Sequence, residues 1–430
     1  IIDLDQRSNQ PFEDESYVLL YNGEIYNFEE LKSDLVSKGI IFKTKSDTEV
    51  LFEGLKYYKD DFIQLLNGIF SFVFIDKLNM TALMSRDRLG IKPLYYYIDS
   101  EQIIFSSEMN TVIRLKISKN IISRESIDNY MLFQYIPTPM TMIENIYKVK
   151  PGYVYNVSLL DNKLSYENKY WDAFKSRSSS NIQNLENFIY KSLKQQLVAD
   201  VDVGMFLSSG IDSSLLVAMV DKYFSDKKYK LFTVSFDKNS NSDESDDAKE
   251  FVKGFNQNNF EHVILQLDSN TIKNRLINLY DFIDEPFADS AVLLNMAISE
   301  EAKKYSSVVL SGDGADELFF GYDRYLDFIK FKNINLLKKY FYLLVEIFIQ
   351  SRRLFLSSIT DSLELSLQLL NITYPKNKKI SQKIKKLFMY ESIENINNNN
   401  EFISKIDLKS YLTDAMLYKV DRSSMANSLE

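Results

Sequence analysis

The 430 residues are 45% hydrophobic and 14% aromatic, enough apolar surface for two or three cores of ordinary size, which excludes wholesale disorder. Fifty-one Lys and Arg against 60 Asp and Glu leave a formal charge of −9, the wrong sign for a surface that grips phosphate backbones, so nucleic acid is not an expected partner. The chain has no cysteine and one histidine, His262, which excludes disulfides, Cys-based zinc sites, thiol nucleophiles and His-rich metal clusters within these residues.

The opening Ile1-Ile2-Asp3-Leu4 reads as the tail of a strand already under way, and Asp421 to Glu430 stops without a turn or cap, so both ends are expected to be cut. From residue 1 to about 172 the text consists of short apolar or alternating runs, such as Tyr17 to Tyr21 and Ile69 to Ile75. Helical spacing enters at Phe28, Leu31 and Leu35 and again at Val50, Leu51, Gly54 and Leu55, so this first domain is α+β. Taken alone, Asn22-Gly23 between apolar runs is a hairpin turn. Ser176 to Asn181, a run of small polar residues with one arginine, is the linker.

A second domain is expected over 182–430. Leu185, Ile189, Leu193 and Leu197 form one helical stripe, Val201 to Leu207 a buried strand, and Ser213 to Val220 a helix, which is the βα unit of a parallel sheet. Leu231 to Phe236 and Ser307 to Leu310 supply further strands with polar loops at their carboxyl ends, where α/β sheets bind ligands. Beyond Phe319 the pattern is helical, interrupted by an Asn-rich loop at Asn397 to Asn400. The longest apolar stretch, around Tyr340 to Ile349, is interrupted by Glu346 and too short to span a bilayer, so it reads as a buried helix and no membrane contact is expected.

Ser208-Ser209-Gly210-Ile211-Asp212-Ser213-Ser214 stands between that strand and that helix, where backbone N–H groups and the positive helix end favour an anion. Alone, such a turn is an ordinary N-cap. It has no lysine and is not the Walker type, whereas Asp212 beside a phosphate would act through Mg²⁺. A second loop, Leu310 to Glu317, puts Asp313, Asp316 and Glu317 with Gly312 and Gly314 after another buried strand. Alone it too is a turn with solvated acids; together the two loops suit adenylation chemistry.

The first loop resembles the S-G-G-x-D-S-S pyrophosphate loop of the N-type ATP pyrophosphatases, with Ser209 where the family usually has its first glycine. More narrowly, Asp284 to Ser290, Ser311 to Glu317 with Phe320-Gly321-Tyr322, and Asp421 to Glu430 resemble in order the synthetase half of the glutamine-dependent asparagine synthetase family. Tyr21 to Asn27, Thr44 to Glu49 and Arg86 to Tyr96 resemble its class II glutaminase domain, whose fold is an N-terminal-nucleophile αββα sandwich. The resemblance implies that ATP and Mg²⁺ meet Phe206, Leu207, Ser208, Ser209, Gly210, Asp212, Ser213, Ser214, Val234, Ser311 and Gly312, with Asp212 and Asp316 as metal ligands. It implies that Asn22 and Gly23 donate to an oxyanion, that Glu24 and Asp47 receive the glutamine ammonium, and that Asp313, where the family often has Glu, is a base.

The family nucleophile, an N-terminal cysteine, is expected upstream of Ile1, and the implied reaction turns aspartate into asparagine through β-aspartyl-AMP in the cytoplasm. A homodimer is the assembly to test. Arg86-Asp87 reads as a structural ion pair, Asp243 to Asp247 as a solvated loop, and His262 as a structural histidine. Two other readings stay open. One is an amidotransferase on the same scaffold acting on a sugar acid or a β-lactam precursor; the other is a non-catalytic relative.

Overall fold

The computed structural model describes residues 2–3, 5–115, 120–173, 184–236, 243–256, 258–349, 356, 359, 365, 369 and 399–430. The Ser176 to Asn181 linker and residues 397–398 of the Asn-rich loop lie outside them. Ile2 and Asp3 are not in a strand, contrary to the expectation for the opening residues; Ile2 packs against the first core.

The amino-terminal part contains β1 (Phe12–Glu13), β2 (Tyr17–Ile25), α1 (Phe28–Ser37), α2 (Asp47–Tyr58), β3 (Gly68–Asp76), β4 (Thr81–Arg86), β5 (Tyr95–Ile98), β6 (Ile103–Ser106), α3 (Met109–Arg114), α4 (Arg124–Phe133), β7 (Ile146–Lys148), β8 (Tyr153–Ser158) and β9 (Lys163–Lys169). A six-stranded antiparallel sheet runs β1-β2-β3-β4-β8-β9, and a three-stranded sheet runs β6-β5-β7. The period-2 rule explains the layering. Along β3, Phe70, Phe72 and Phe74 enter one core with α1 and α2, whereas Val73 points the other way into a core with Leu94, Val149 and Tyr155. On the far side of the small sheet Tyr95 and Tyr97 pack on Met109 and Val112 of α3. The result is helices, sheet, sheet, helix, the expected αββα sandwich.

The second part contains α5 (Leu185–Gln196), β10 (Val203–Phe206), α6 (Ile211–Tyr223), β11 (Tyr229–Ser235), α7 (Ser245–Lys253), β12 (Phe260–Gln266), α8 (Ser269–Phe282), α9 (Ala291–Lys303), β13 (Val308–Leu310), α10 (Ala315–Phe319), α11 (Asp323–Lys332), α12 (Leu336–Ile349), α13 (Asn399–Lys409), a π-helical turn at Leu412–Leu417 and α14 (Tyr418–Met425). Its strands are all parallel, in the order β12-β11-β10-β13, so the order reverses at β10 and opens a crevice beyond its carboxyl end. Helix α12 forms where the apolar run predicts one; of that run Tyr340 and Phe341 are exposed, and the side chains of 343–349 lie outside the described ones.

Buried charge ties the two parts together. Lys92 Nζ lies 3.0 Å from Asp421 Oδ1 and Lys148 Nζ 2.6 Å from Glu285 Oε2, and Asp284 Oδ2, itself 3.2 Å from Arg422 Nη2 within the second part, accepts from Met109 N–H at 3.1 Å. Asp414 accepts from both the N–H and the hydroxyl of Thr138.

Candidate active sites

At the crevice, β10 ends at Phe206 and α6 begins at Ile211, with Gly210 as N-cap and no side chain capping the helix. The first-turn N–H groups of a helix lack intrahelical partners, which leaves this end suited to an anion. The loop is shaped from within: Ser213 Oγ accepts from Ser208 N–H at 3.1 Å, and Ser208 Oγ accepts from Gly210 N–H at 3.1 Å. The acidic loop after β13 comes against it. A Cβ on Gly312 would stand 3.0 Å from Asp212 Cβ and 3.2 Å from Ser213 N, so glycine permits the closeness of the two loops.

Together they wall a cavity of about 800 Å³. Its apolar side is formed by Phe206, Phe232, Val234 and Ile298, and its polar side by Ser208, Asp212, Ser311, Asp313 and Asp316. Asp212 has its carboxyl raised by burial and then by the charge of Asp316. Among the described lining residues there are four carboxylates, with Glu244 the fourth, and no Lys or Arg. No cluster of three or more metal-binding side chains occurs among the described residues; Asp212 and Asp316, close enough for the charge of one to act on the other, are carboxylates that would suit a magnesium ion completed by phosphate oxygens.

Of the residues expected here, Phe206, Leu207, Ser208, Gly210, Asp212, Ser213, Val234, Ser311, Gly312, Asp313 and Asp316 all line the cavity. Ser209 and Ser214 do not. Ser209 donates its N–H to Glu244 Oε2 at 2.9 Å, and Ser214 turns its N–H into the helix, onto Gly210 O. The expectation of a solvated loop at Asp243 to Asp247 is corrected: Ser245 starts α7, Asp243 accepts from Ser235, and Glu244 joins the cavity wall. Asn295 and Ser299 on α9, and Val420, Ser423 and Ser424 on α14, are not legible in the sequence because they belong to helices whose docking no local pattern announces. His262 is structural as expected, its Nε2 2.9 Å from Thr233 Oγ1, with burial lowering its pKa.

The amide site is built on β2. Asn22 and Gly23 do not form a turn; they lie inside the strand opposite Ser71 and Phe70. Gly23 has φ +139°, and a Cβ there would run into the carbonyl oxygen of Ile69, so the ladder itself demands glycine. Glu24 is buried, and its carboxyl is pushed up to about 7 by burial, with the charges of Glu430 and Asp47 acting the same way. Asp47, in the first turn of α2, accepts at Oδ2 from Tyr21 OH at 2.7 Å and Ile25 N–H at 2.9 Å, and burial raises it as well. Arg86 and Asp87 do not pair with each other as expected. Arg86 donates to the carbonyls of Lys92, Val149 and Gly90, and Asp87 accepts from the N–H groups of Phe70, Leu89, Ile91 and Lys92. Both organise backbone that would otherwise be buried unsatisfied.

A glutaminase-type αββα sandwich ahead of a parallel sheet with a phosphate loop and an acidic loop at its carboxyl edge is the layout of an ATP-using amidotransferase. Residues 1–171 match the glutamine amidotransferase domain and residues 184–430 match asparagine synthase. The chain belongs to the asparagine synthase family. It is 32% identical over 457 aligned positions to asparagine synthetase [glutamine-hydrolyzing] 1 of Bacillus subtilis, covering 100% of this chain and 70% of that one. It is 30% identical to a putative asparagine synthetase [glutamine-hydrolyzing] 2 of Methanocaldococcus jannaschii, over 79% of this chain and 68% of that one. Among solved structures, the glutamine phosphoribosylpyrophosphate amidotransferase of B. subtilis overlaps at TM-score 0.29 and 19% identity, over 51% of this chain and 48% of that one.

Proposed function

We propose that the chain makes asparagine from aspartate and ATP with glutamine as nitrogen donor, releasing AMP, pyrophosphate and glutamate. The observation that carries this reading is the meeting of the two loops: Gly312 packs against Asp212 and Ser213, placing an anion-binding helix end and an acidic loop on one cavity. Adenine is assigned to the apolar wall of Phe206, Phe232 and Val234, and the phosphates to the N–H groups at the start of α6. A substrate carboxylate oxygen attacks the α-phosphorus, the bond to the β-phosphate breaks, and pyrophosphate leaves with the electron pair. Asp212 and Asp316 would hold a magnesium ion, which offsets phosphate charge in a wall that lacks Lys and Arg among its described residues. Ammonia then attacks the acyl carbon and AMP departs. Asp313, on the same wall, takes the proton of the entering ammonium.

At the other site, the Asn22 amide and Gly23 N–H stabilise the oxyanion of glutamine hydrolysis, while Glu24 and Asp47 provide the negative field for its α-ammonium. Asp47 acts from beneath, because one of its oxygens is already committed to Tyr21 and Ile25.

The test uses the full-length protein with Mg·ATP, aspartate and either glutamine or ammonium, following asparagine, AMP and pyrophosphate together. Asparagine formed in step with AMP supports the reading; AMP formed only with another carboxylate moves the enzyme to a different acceptor. Asp212→Asn is expected to abolish AMP formation with either nitrogen source, and turnover in that variant would remove Asp212 from the mechanism. Asn22→Ala is expected to lose glutamine-dependent synthesis and keep ammonium-dependent synthesis. Equal loss of both would refute the division of labour.

A further inference from the structure

Lys92 is a buried lysine that neither proposed site uses. Its backbone is fastened to the glutaminase part at both ends: its N–H donates to Asp87 Oδ2 at 3.0 Å, and its carbonyl accepts from Arg86 Nε at 2.8 Å. Asp87 in turn accepts from Phe70 N–H at 3.2 Å and donates its own N–H to Phe70 O at 2.7 Å, and Phe70 is the ladder partner of Gly23. The Lys92 side chain crosses to the other part and meets Asp421 Oδ1 at 3.0 Å, with both side chains about 5% exposed or less. Asp421 sits on α14 between Val420 and the pair Ser423 and Ser424, three residues of the nucleotide cavity wall.

A continuous set of short contacts thus runs from the strand bearing Asn22 and Gly23, through Phe70, Asp87 and Lys92, to Asp421 and the cavity. The comparably buried Lys148–Glu285 pair crosses the same interface without this property. Lys148 lies on β7 and bonds the carbonyl of Ile136, Glu285 accepts from Met142 N–H, and neither side chain lines the cavity. Both pairs are thus interdomain contacts, and one alone is attached at each end to an element of a site. A charge this far from water also holds its partner in place, because separating the two leaves each unsolvated.

We propose that Lys92 and Asp421 are positioning residues: their ion pair holds the amide site and the nucleotide cavity in register, so that nitrogen released at the first is used at the second. The proposal rests on the amidotransferase reading above. Its signature is the ratio of glutamate released to pyrophosphate released, which unfolding of the whole chain leaves unchanged and which a second pair at the same interface calibrates for any separate loosening of the two parts.

The experiment compares full-length wild type with Lys92→Met/Asp421→Leu, which removes both buried charges at once, and with Lys148→Met/Glu285→Gln as the control pair. Each is assayed for glutamate and pyrophosphate with glutamine, and for pyrophosphate with ammonium. The expected result is a rise of about fivefold or more in glutamate per pyrophosphate in the first variant, with ammonium-dependent pyrophosphate release retained and the control ratio near wild type. Lys92→Arg, which keeps the charge but moves its head, is expected to give a ratio between those of wild type and the first variant. An unchanged ratio in the first variant, or an equal rise in the control, overturns the proposal. If the first variant does not fold, Lys92→Arg carries the test: its longer, planar head shifts the register, so a ratio identical to wild type at reduced stability overturns it and an intermediate ratio supports it. Wild type that releases no pyrophosphate with aspartate or any other carboxylate, while folded, defeats the underlying reading instead.

Discussion

Glu24 shows how a single side chain can set a pH response. Its carboxyl titrates at about 7 in the folded chain against 4.5 ordinarily, so between those values the folded state holds a proton that the unfolded state has lost. The stability this contributes is fully present below about pH 4.5 and is lost as pH rises through about 7. Glu24→Gln lacks that loss. Urea denaturation is expected to show the variant gaining roughly 2–3 kcal/mol on wild type between pH 5 and pH 7.5, and a pH-independent difference would contradict it. Glutamine brings an ammonium that favours the ionised form, so its KM is expected to fall as pH rises from about 6 to 8 in wild type and not in the variant. Gly312 is the corresponding residue at the nucleotide cavity. Gly312→Ala places a methyl 3.0 Å from Asp212 Cβ, and the two loops must part by a few tenths of an ångström. A modest stability loss of about 1 kcal/mol is expected, together with an ATP KM raised roughly tenfold in the ammonium-dependent assay.

At the scale of elements, the segment from Arg86 to Tyr95 depends on one guanidinium that reaches three carbonyls in three directions. Lysine keeps the charge but has no planar fork, so Arg86→Lys leaves buried carbonyls without donors. A loss of about 2–4 kcal/mol by chemical denaturation is expected, and a loss under about 1 kcal/mol would show that lysine satisfies them. Much of this architecture can be read from the chain. The spacing of Phe28, Leu31 and Leu35, the run from Ile69 to Ile75, and the βα unit around Gly210 each carry their own periodicity, and each is found in place. The loops at Ser208 and Ser311 were legible because glycine, serine and aspartate have few other reasons to cluster after a buried strand. What was not legible depended on distant partners. Asn22-Gly23 has the chemistry of a turn and becomes strand only because β3 lies beside it. Arg86 and Asp87 are adjacent and opposite in charge, yet each turns to backbone because burial leaves more carbonyls and N–H groups to satisfy than one ion pair can. Glu244 reaches the cavity because α7 docks beside the first loop, which a polar string such as Asp243 to Asp247 does not encode.

The molecule as a whole is two folds joined by buried charge, and its cooperativity follows from that joint. Lys148 and Glu285 are both nearly inaccessible to water, and their attraction offsets a desolvation cost that neither bears alone. Burial raises the Glu285 carboxyl, while the lysine beside it acts in the opposite sense, and Met142 N–H fixes its second oxygen. Glu285→Gln preserves the shape and the acceptor for Met142 but strands the Lys148 ammonium at the interface. The expected cost is about 3–5 kcal/mol, far more than an exposed pair would show. Because that cost falls on the contact between the parts and spares both cores, calorimetry is expected to resolve two melting transitions in Glu285→Gln where wild type shows one. Lys148→Met added to it removes the stranded charge and is expected to recover most of the loss. If the double variant stays as unstable as the single one, the pair acts through packing rather than charge, and the interface is held by the remaining contacts at Asp421, Asp284 and Asp414.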